Sequence, residues 1–289
     1  KRMREFVITS DSTTDLPAEY LKENGILIAS LSYVLEGITY EDNKGLTSKE
    51  FYDKVRNGAM PTTSQINVAE GRALFEPIIK EGKDILHIAF SSGLSGSCNS
   101  CQIAAKMLME EYPGCQIEVV DSLCASLGEG LLVHKAVEQK KKGMGLTELA
   151  AWARELAPHI CHNFTVDDLN HLHRGGRVSK ATAVLGTLAG IKPVLHVDDE
   201  GHLVPIDKVR GRKKSLIALV DRMEKQMQGF ENDAVFISHG DCLADAEFVK
   251  DTVRKRFGIE SFLINPVGAV IGSHSGPGTI ALFFVGSPR

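Results

Sequence analysis

Short apolar runs recur along the chain, each stopping at a polar loop and giving way to a helical period. Phe6-Val7-Ile8 stops at the cluster 9–15, the run 85–90 at Ser91-Ser92-Gly93, and 117–120 at Asp121-Ser122. Strand, loop and helix in that order predict parallel βα units. The stretch 26–35 reads as a strand or a strand pair. A 3.6-residue period predicts helices over 99–112, 127–142 and 212–227. Their apolar faces are Ile103, Met107 and Leu108 in the first, Leu131, Leu132 and Val137 in the second, and Leu216, Leu219, Val220, Met223 and Met227 in the third.

The pattern changes around Ala157-Pro158-His159. A strand over 163–166 is followed by a helical stretch through Arg174-Gly175-Gly176-Arg177. Two runs, 193–197 and 203–206, flank Asp198-Asp199-Glu200-Gly201, which is hairpin punctuation. Strand–helix alternation resumes at 235–237 and 261–264. The expected fold class is α/β, in two domains. Residues 1–158 form an N-terminal domain on a parallel sheet, and 159–289 a C-terminal domain on a mixed sheet.

Charge and cysteine usage narrow the function classes. Lys and Arg total 33 against 37 Asp and Glu, a formal charge of -4, which argues against a nucleic-acid binder. The six cysteines are sparse and irregular, unlike a secreted disulfide scaffold. No apolar run approaches the roughly 20 residues that span a bilayer. Lys1-Arg2-Met3-Arg4-Glu5 leads straight into a strand without a signal-peptide core. A cytoplasmic protein without stable membrane insertion is expected.

Hydroxyl-rich segments follow the strands: 9–15, Pro61-Thr62-Thr63-Ser64-Gln65, Ser91-Ser92-Gly93-Leu94-Ser95-Gly96 and Asp121-Ser122. Open α/β sheets bind ligands outside the carboxyl ends of their strands, where such loops converge. Hydroxyls and backbone N–H groups there suit a carboxylate or phosphate. Each loop also reads as a helix cap: Asp15 before Pro17, Ser64 or Asn67 before Ala69, and Ser97 before the next helix. The hydroxyl density exceeds what capping requires and favours binding. His274, among the glycines 268, 272, 276 and 278, reads equally as an anion ligand or as an imidazole on a solvent-facing turn. Arg174 and Arg177 offer forked donors for an anion, or a basic helix end.

Several sharper motifs fail. Gly93-Leu94-Ser95-Gly96-Ser97 has Ser where the hydrolase elbow needs its last Gly. Gly276-Pro277-Gly278 has no βαβ unit after it, and no P-loop exists. Cys98-Asn99-Ser100-Cys101 has the spacing of a redox pair but sits too late in too long a chain. His159, Cys161, His162, His171 and His173 lack the accompanying spacing of a zinc site. No metal and no cofactor are expected.

Taken in order, the motifs resemble the DegV family, the bacterial fatty-acid-binding proteins that serve fatty acid kinase. The matching pieces are Ser10-Asp11-Ser12-Thr13-Thr14-Asp15-Leu16, Thr62-Thr63-Ser64-Gln65, Ser91-Ser92-Gly93-Leu94-Ser95-Gly96 and Val120-Asp121-Ser122. Gly175-Gly176-Arg177-Val178-Ser179, Ile191-Lys192-Pro193-Val194 and Ile271-Gly272-Ser273-His274-Ser275-Gly276-Pro277-Gly278 complete the set. The resemblance implies one long-chain fatty acid held between two α/β domains, its chain in an apolar tunnel. It implies Thr63, Ser95, His274 and Arg177 at the carboxylate, with Thr62, Ser64, Gly96 and Ser92 supporting the loops. It further implies that a separate fatty acid kinase subunit phosphorylates the carboxylate to an acyl phosphate for phospholipid synthesis, the binding protein itself being no enzyme. The basic stretch 208–214 is similar to a family segment that would face the kinase, and also reads as a solvated helix start. At Ser97-Cys98 the family more often carries Thr and an aromatic residue, so Cys98 is expected to alter the pocket near Ser95. Two rival functions compete with this one. A serine hydrolase would pair Ser95 with His274 but has a broken elbow and no evident acid. A DNA-associated regulator would need a basic face.

Overall fold

A computed structural model of the chain describes residues 4–185 and 188–289. The chain runs β1 (Phe6–Asp11), α1 (Ala18–Glu23), β2 (Leu27–Ala29), β3 (Ser32–Leu35), β4 (Ile38–Glu41), α2 (Ser48–Arg56), β5 (Thr62–Ser64), α3 (Val68–Lys80), β6 (Asp84–Ala89), α4 (Ser97–Glu111), β7 (Ile117–Asp121), α5 (Leu127–Lys141) and α6 (Leu146–Leu156). It continues with β8 (Ile160–Thr165), α7 (Asn170–Arg174), α8 (Lys180–Leu185), β9 (Ile191–Val197), β10 (Leu203–Arg210), α9 (Arg212–Gln226), β11 (Val235–His239), α10 (Leu243–Phe257), β12 (Phe262–Pro266), α11 (Ala269–Ser275) and β13 (Ile280–Val285).

The strands β2, β1, β6 and β7 lie side by side in that order, all parallel. Parallel sheets are covered on both faces, and every residue of β6 is buried accordingly. The second large sheet, β10-β9-β8-β13-β11-β12, is mixed: β11 and β12 are parallel and the other pairs antiparallel. The expected α/β architecture, one parallel and one mixed sheet, is therefore the observed one. The stretch 26–35 is a strand pair divided between sheets. Its β2 half joins the parallel sheet, while β3 pairs with β4 and β5 in a small antiparallel sheet.

Helix α5 lies between the two large sheets, touching β1 and β6 on one side and β8, β11 and β13 on the other. All seven residues from Leu127 to Val133 are buried. One apolar core runs from Phe6 and Ile8 through Leu131 and Leu132 to Phe236 and Phe283. Gly128 permits the close approach, since a Cβ there would lie 2.2 Å from His162 Nε2.

Helix α4 corrects one expectation. Leu108 is buried, but Ile103 and Met107 are 43% and 37% exposed. The inward face is built of small residues, Cys101, Ala104 and Ala105, packed on α3, where Gly71 meets Ala104.

Helix α11 lies in sequence between β12 and β13 of the second sheet, yet packs against α2, β3 and β5 as well as α7. Tyr52 Oη donates to Val267 O at 2.7 Å, and Asp42 Oδ1 accepts from Val270 N–H at 3.3 Å. The first half of the chain thus holds the helix that carries His274.

Candidate functional site

A cavity of about 390 Å³ opens where the carboxyl ends of the parallel strands face the mixed sheet and α11. Ligand pockets typically measure ~300–1,000 Å³. Its outer walls include Thr63, Ser64, Gln65 and Ser95, none of them buried, and its inner walls Ala125, His162, Val197 and Phe283, all buried. Leu31, Phe90, Leu94, Phe164, Leu172 and Val270 make the walls between predominantly apolar.

Thr63, Ser95, Arg177 and His274 each have an identifiable partner. Thr63 is on β5, paired with Tyr33 of β3. Its Oγ1 lies 2.8 Å from His274 Nε2, while His274 Nδ1 is buried without a partner. A stranded N–H costs more than a stranded lone pair, so the proton belongs on Nε2. His274 then donates to Thr63, and the Thr63 hydroxyl proton is free for an acceptor in the cavity. Burial, and secondarily the Arg177 charge, push the His274 pKa down to about 4, so the imidazole is neutral near pH 7.

Ser95 precedes α4. Its Oγ accepts from Ser97 N–H at 3.2 Å and lies 2.9 Å from Ser97 Oγ, which accepts from Ile66 N–H at 3.0 Å. Gly96 N–H donates to Gln65 Oε1 at 3.1 Å, binding this loop to the β5 loop. Ser92 supports rather than lines: its N–H donates to Asp121 Oδ1 at 3.2 Å. Thr62 is exposed on β5. Arg177 lines the cavity, but its Nε and Nη2 donate to Leu94 O at 3.2 and 3.0 Å and its Nη1 to Gly175 O. It therefore ties the glycine turn after α7 to the Ser95 loop. Arg174 is exposed and turned to His171 Nδ1 at 2.7 Å.

The structure brings together Thr63, Ser64, Ser95, Arg177 and His274 as walls of this cavity. Only two of the four hydroxyl-rich loops line it, whereas residues 9–15 are buried at the joint between the sheets. There Asp15 Oδ2 accepts from Ser126 Oγ at 2.6 Å, and Asp11 Oδ2 from Phe90 N–H at 2.9 Å. Asp15 does not N-cap α1, where Pro17 holds that position, whereas Asn67 caps α3 in a reciprocal box with Glu70. Ser122 Oγ accepts from Cys124 N–H at 3.0 Å and donates to Cys124 O at 3.5 Å, a local turn.

Ser126 and Ser238 are polar wall residues that the sequence does not single out, and His162, which stands out there only in a failed zinc pattern, is another. Ser126 holds φ 53°, uncommon for a side-chain-bearing residue, and its Oγ lies 3.0 Å from Ser238 Oγ. His162 Nε2 accepts from Ala125 N–H at 3.0 Å, so Nδ1 is protonated and donates to Ile160 O at 3.1 Å.

The other candidate chemistries have geometric answers. His274 bonds Thr63 and Ser95 lies against Ser97, so no nucleophile–base hydrogen bond joins Ser95 to His274. Cys98 is buried, is not a cavity wall, and its thiol is pushed up to about 12 by burial, opposite to a reactive thiol. Among the described residues no group of three or more His, Cys, Asp and Glu is placed to hold a metal ion.

A family model described as an uncharacterised protein of the DegV family matches residues 5–287. The chain belongs to the DegV family. It is 44% identical over 289 residues to a DegV domain-containing protein of Clostridium perfringens, covering 99% of both chains. Among solved DegV structures it is similar to a fatty-acid-binding protein from Thermus thermophilus, with TM-score 0.86 and 32% identity over 98% of this chain and 100% of that one. It is likewise similar to DegV, a fatty acid binding protein from Bacillus subtilis, with TM-score 0.85 and 30% identity over 99% and 100%. Among the described residues of this DegV chain no helix is long and apolar enough to cross a membrane. Lys208, Arg210, Lys213 and Lys214 are exposed on β10 and the first turn of α9.

Proposed function

We propose that this chain binds one long-chain fatty acid in the cavity between an N-terminal domain, residues 1–158, and a C-terminal domain, 159–289. The single observation that carries the reading is the cavity's polarity. Thr63, Ser95 and His274 stand among the less buried walls, while the buried walls are mostly apolar and their polar members Ser126, His162 and Ser238 are hydrogen-bonded within the protein. Burying an acyl chain contributes about 0.8 kcal/mol per CH₂, so the chain supplies affinity and the hydroxyls orient the carboxylate. The neutral His274 donates to Thr63, which keeps the Thr63 proton aimed at the carboxylate; Arg177 braces the loop carrying Ser95. The fatty-acid-binding DegV proteins of similar fold support the assignment.

The protein presents its ligand and performs no chemistry on it. A separate fatty acid kinase phosphorylates the carboxylate to an acyl phosphate, and the exposed basic residues of 208–214 face that kinase. Mass spectrometry of an organic extract of the purified protein is expected to show a stoichiometric fatty acid. With the kinase added, acyl phosphate should form, and Ser95→Ala or His274→Ala should reduce it. Undiminished formation in both variants would remove their assigned roles.

A further inference from the structure

We infer that Arg289 is a positioning residue that sets how long an acyl chain the cavity accepts, by clamping the segments that close its inner end. The inference rests on the fatty-acid reading above. Arg289 is 5% exposed and is not itself a cavity wall. Its guanidinium donates to Ile160 O from Nε at 3.1 Å, to Asp198 O from Nη1 at 3.2 Å, and to Leu123 O from Nη2. Nη2 also lies 3.0 Å from Cys124 Sγ.

These partners belong to three separate segments, and each segment supplies an inner wall. Ala125 follows Cys124, His162 stands two residues beyond Ile160 on β8, and Val197 precedes Asp198. Ile160 O accepts from both Arg289 Nε and His162 Nδ1, so the clamp also orients the His162 ring. That ring meets Phe283 edge-on, with centroids 5.0 Å apart. The clamp fixes the hairpin turn as well. Asp198 O is held by Arg289, and Gly201 O accepts from Ser91 Oγ at 2.8 Å. All of these walls are buried, whereas the carboxylate-side walls Thr63 and Ser95 are not. The acyl terminus therefore meets the surface that Arg289 holds. Lysine cannot replace it, because one ammonium lacks the planar fork that reaches three carbonyls.

The test is a chain-length profile, measured by titrating delipidated protein with saturated acids of increasing length. Wild type should show an optimum. In Arg289→Lys the optimum should move to longer acids, the preference for two further methylenes changing by about tenfold. Val197→Phe, which fills the same end from within, should move it to shorter ones. A merely structural role would weaken all lengths by one factor and leave the optimum in place. A folded Arg289→Lys with the wild-type optimum overturns the inference, as does a Val197→Phe protein with an unmoved profile. A wild-type protein that binds no acid of any length removes the proposed function itself.

Discussion

Thr63 and Ser95 offer hydroxyls whose remaining hydrogen bonds face an apolar cavity. Thr63→Val removes the donor at nearly constant volume, and Ser95→Ala removes the other. Hydrogen bonds to charged groups are worth about 1.5–3 kcal/mol, so each change should weaken fatty-acid binding by about tenfold or more. Calorimetric titration checks this, with thermal unfolding as the control for an intact fold. These residues were legible in the sequence because hydroxyls crowd two loops beyond any capping need, and because the motifs stand in family order. Ser126 was not legible. Its place depends on a left-handed backbone conformation and on a bond to Asp15, over a hundred residues away, and no local pattern encodes either. Arg177 stands out in the sequence as an anion ligand and lines the cavity, but its bonds to Leu94 O and Gly175 O, which make it a brace, are visible only in three dimensions.

Between elements, close packing decides what the residues can do. A Cβ on Gly175 would lie 2.0 Å from His274 Nδ1. Gly175→Ala should therefore displace the imidazole from Thr63 and weaken binding as much as His274→Ala does, with secondary structure unchanged by circular dichroism. Binding at the wild-type level would show that the α7–α11 contact does not position His274. At the other end of α11, burial pushes the Asp42 carboxyl up to about 7. The folded chain thus holds a proton that the unfolded chain releases near its ordinary pKa of 3.8. Stability from this group is complete below about 3.8 and is lost as pH rises toward about 7. Asp42→Asn keeps an acceptor for Val270 N–H without a proton to lose, so urea unfolding across that window should show a flatter decline. An unchanged slope would assign the pH dependence to other groups. The helices and strands themselves were largely legible from their periods. The outward turn of Ile103 and Met107 was not, because α3 and α4 meet across Gly71, Cys101 and Ala104, and small residues carry little weight in an apolar period.

In the whole molecule, two sheets share one helix and one core. The change of pattern near Pro158 was readable, since β8 begins the mixed sheet at Ile160. That α5 would be buried between the sheets, and that α11 would return to the first half, were not readable. Both depend on long-range approaches that glycines permit: Gly128 against His162, and Gly272 against Tyr52. The result is a cavity with walls from both halves of the chain, which suits a ligand that is mostly apolar chain with one charged end. The most direct test is calorimetric titration of the delipidated protein with a long-chain fatty acid at several temperatures. The account predicts saturation at one acid per chain with a negative heat-capacity change, the mark of apolar burial. Absence of saturable binding would contradict it.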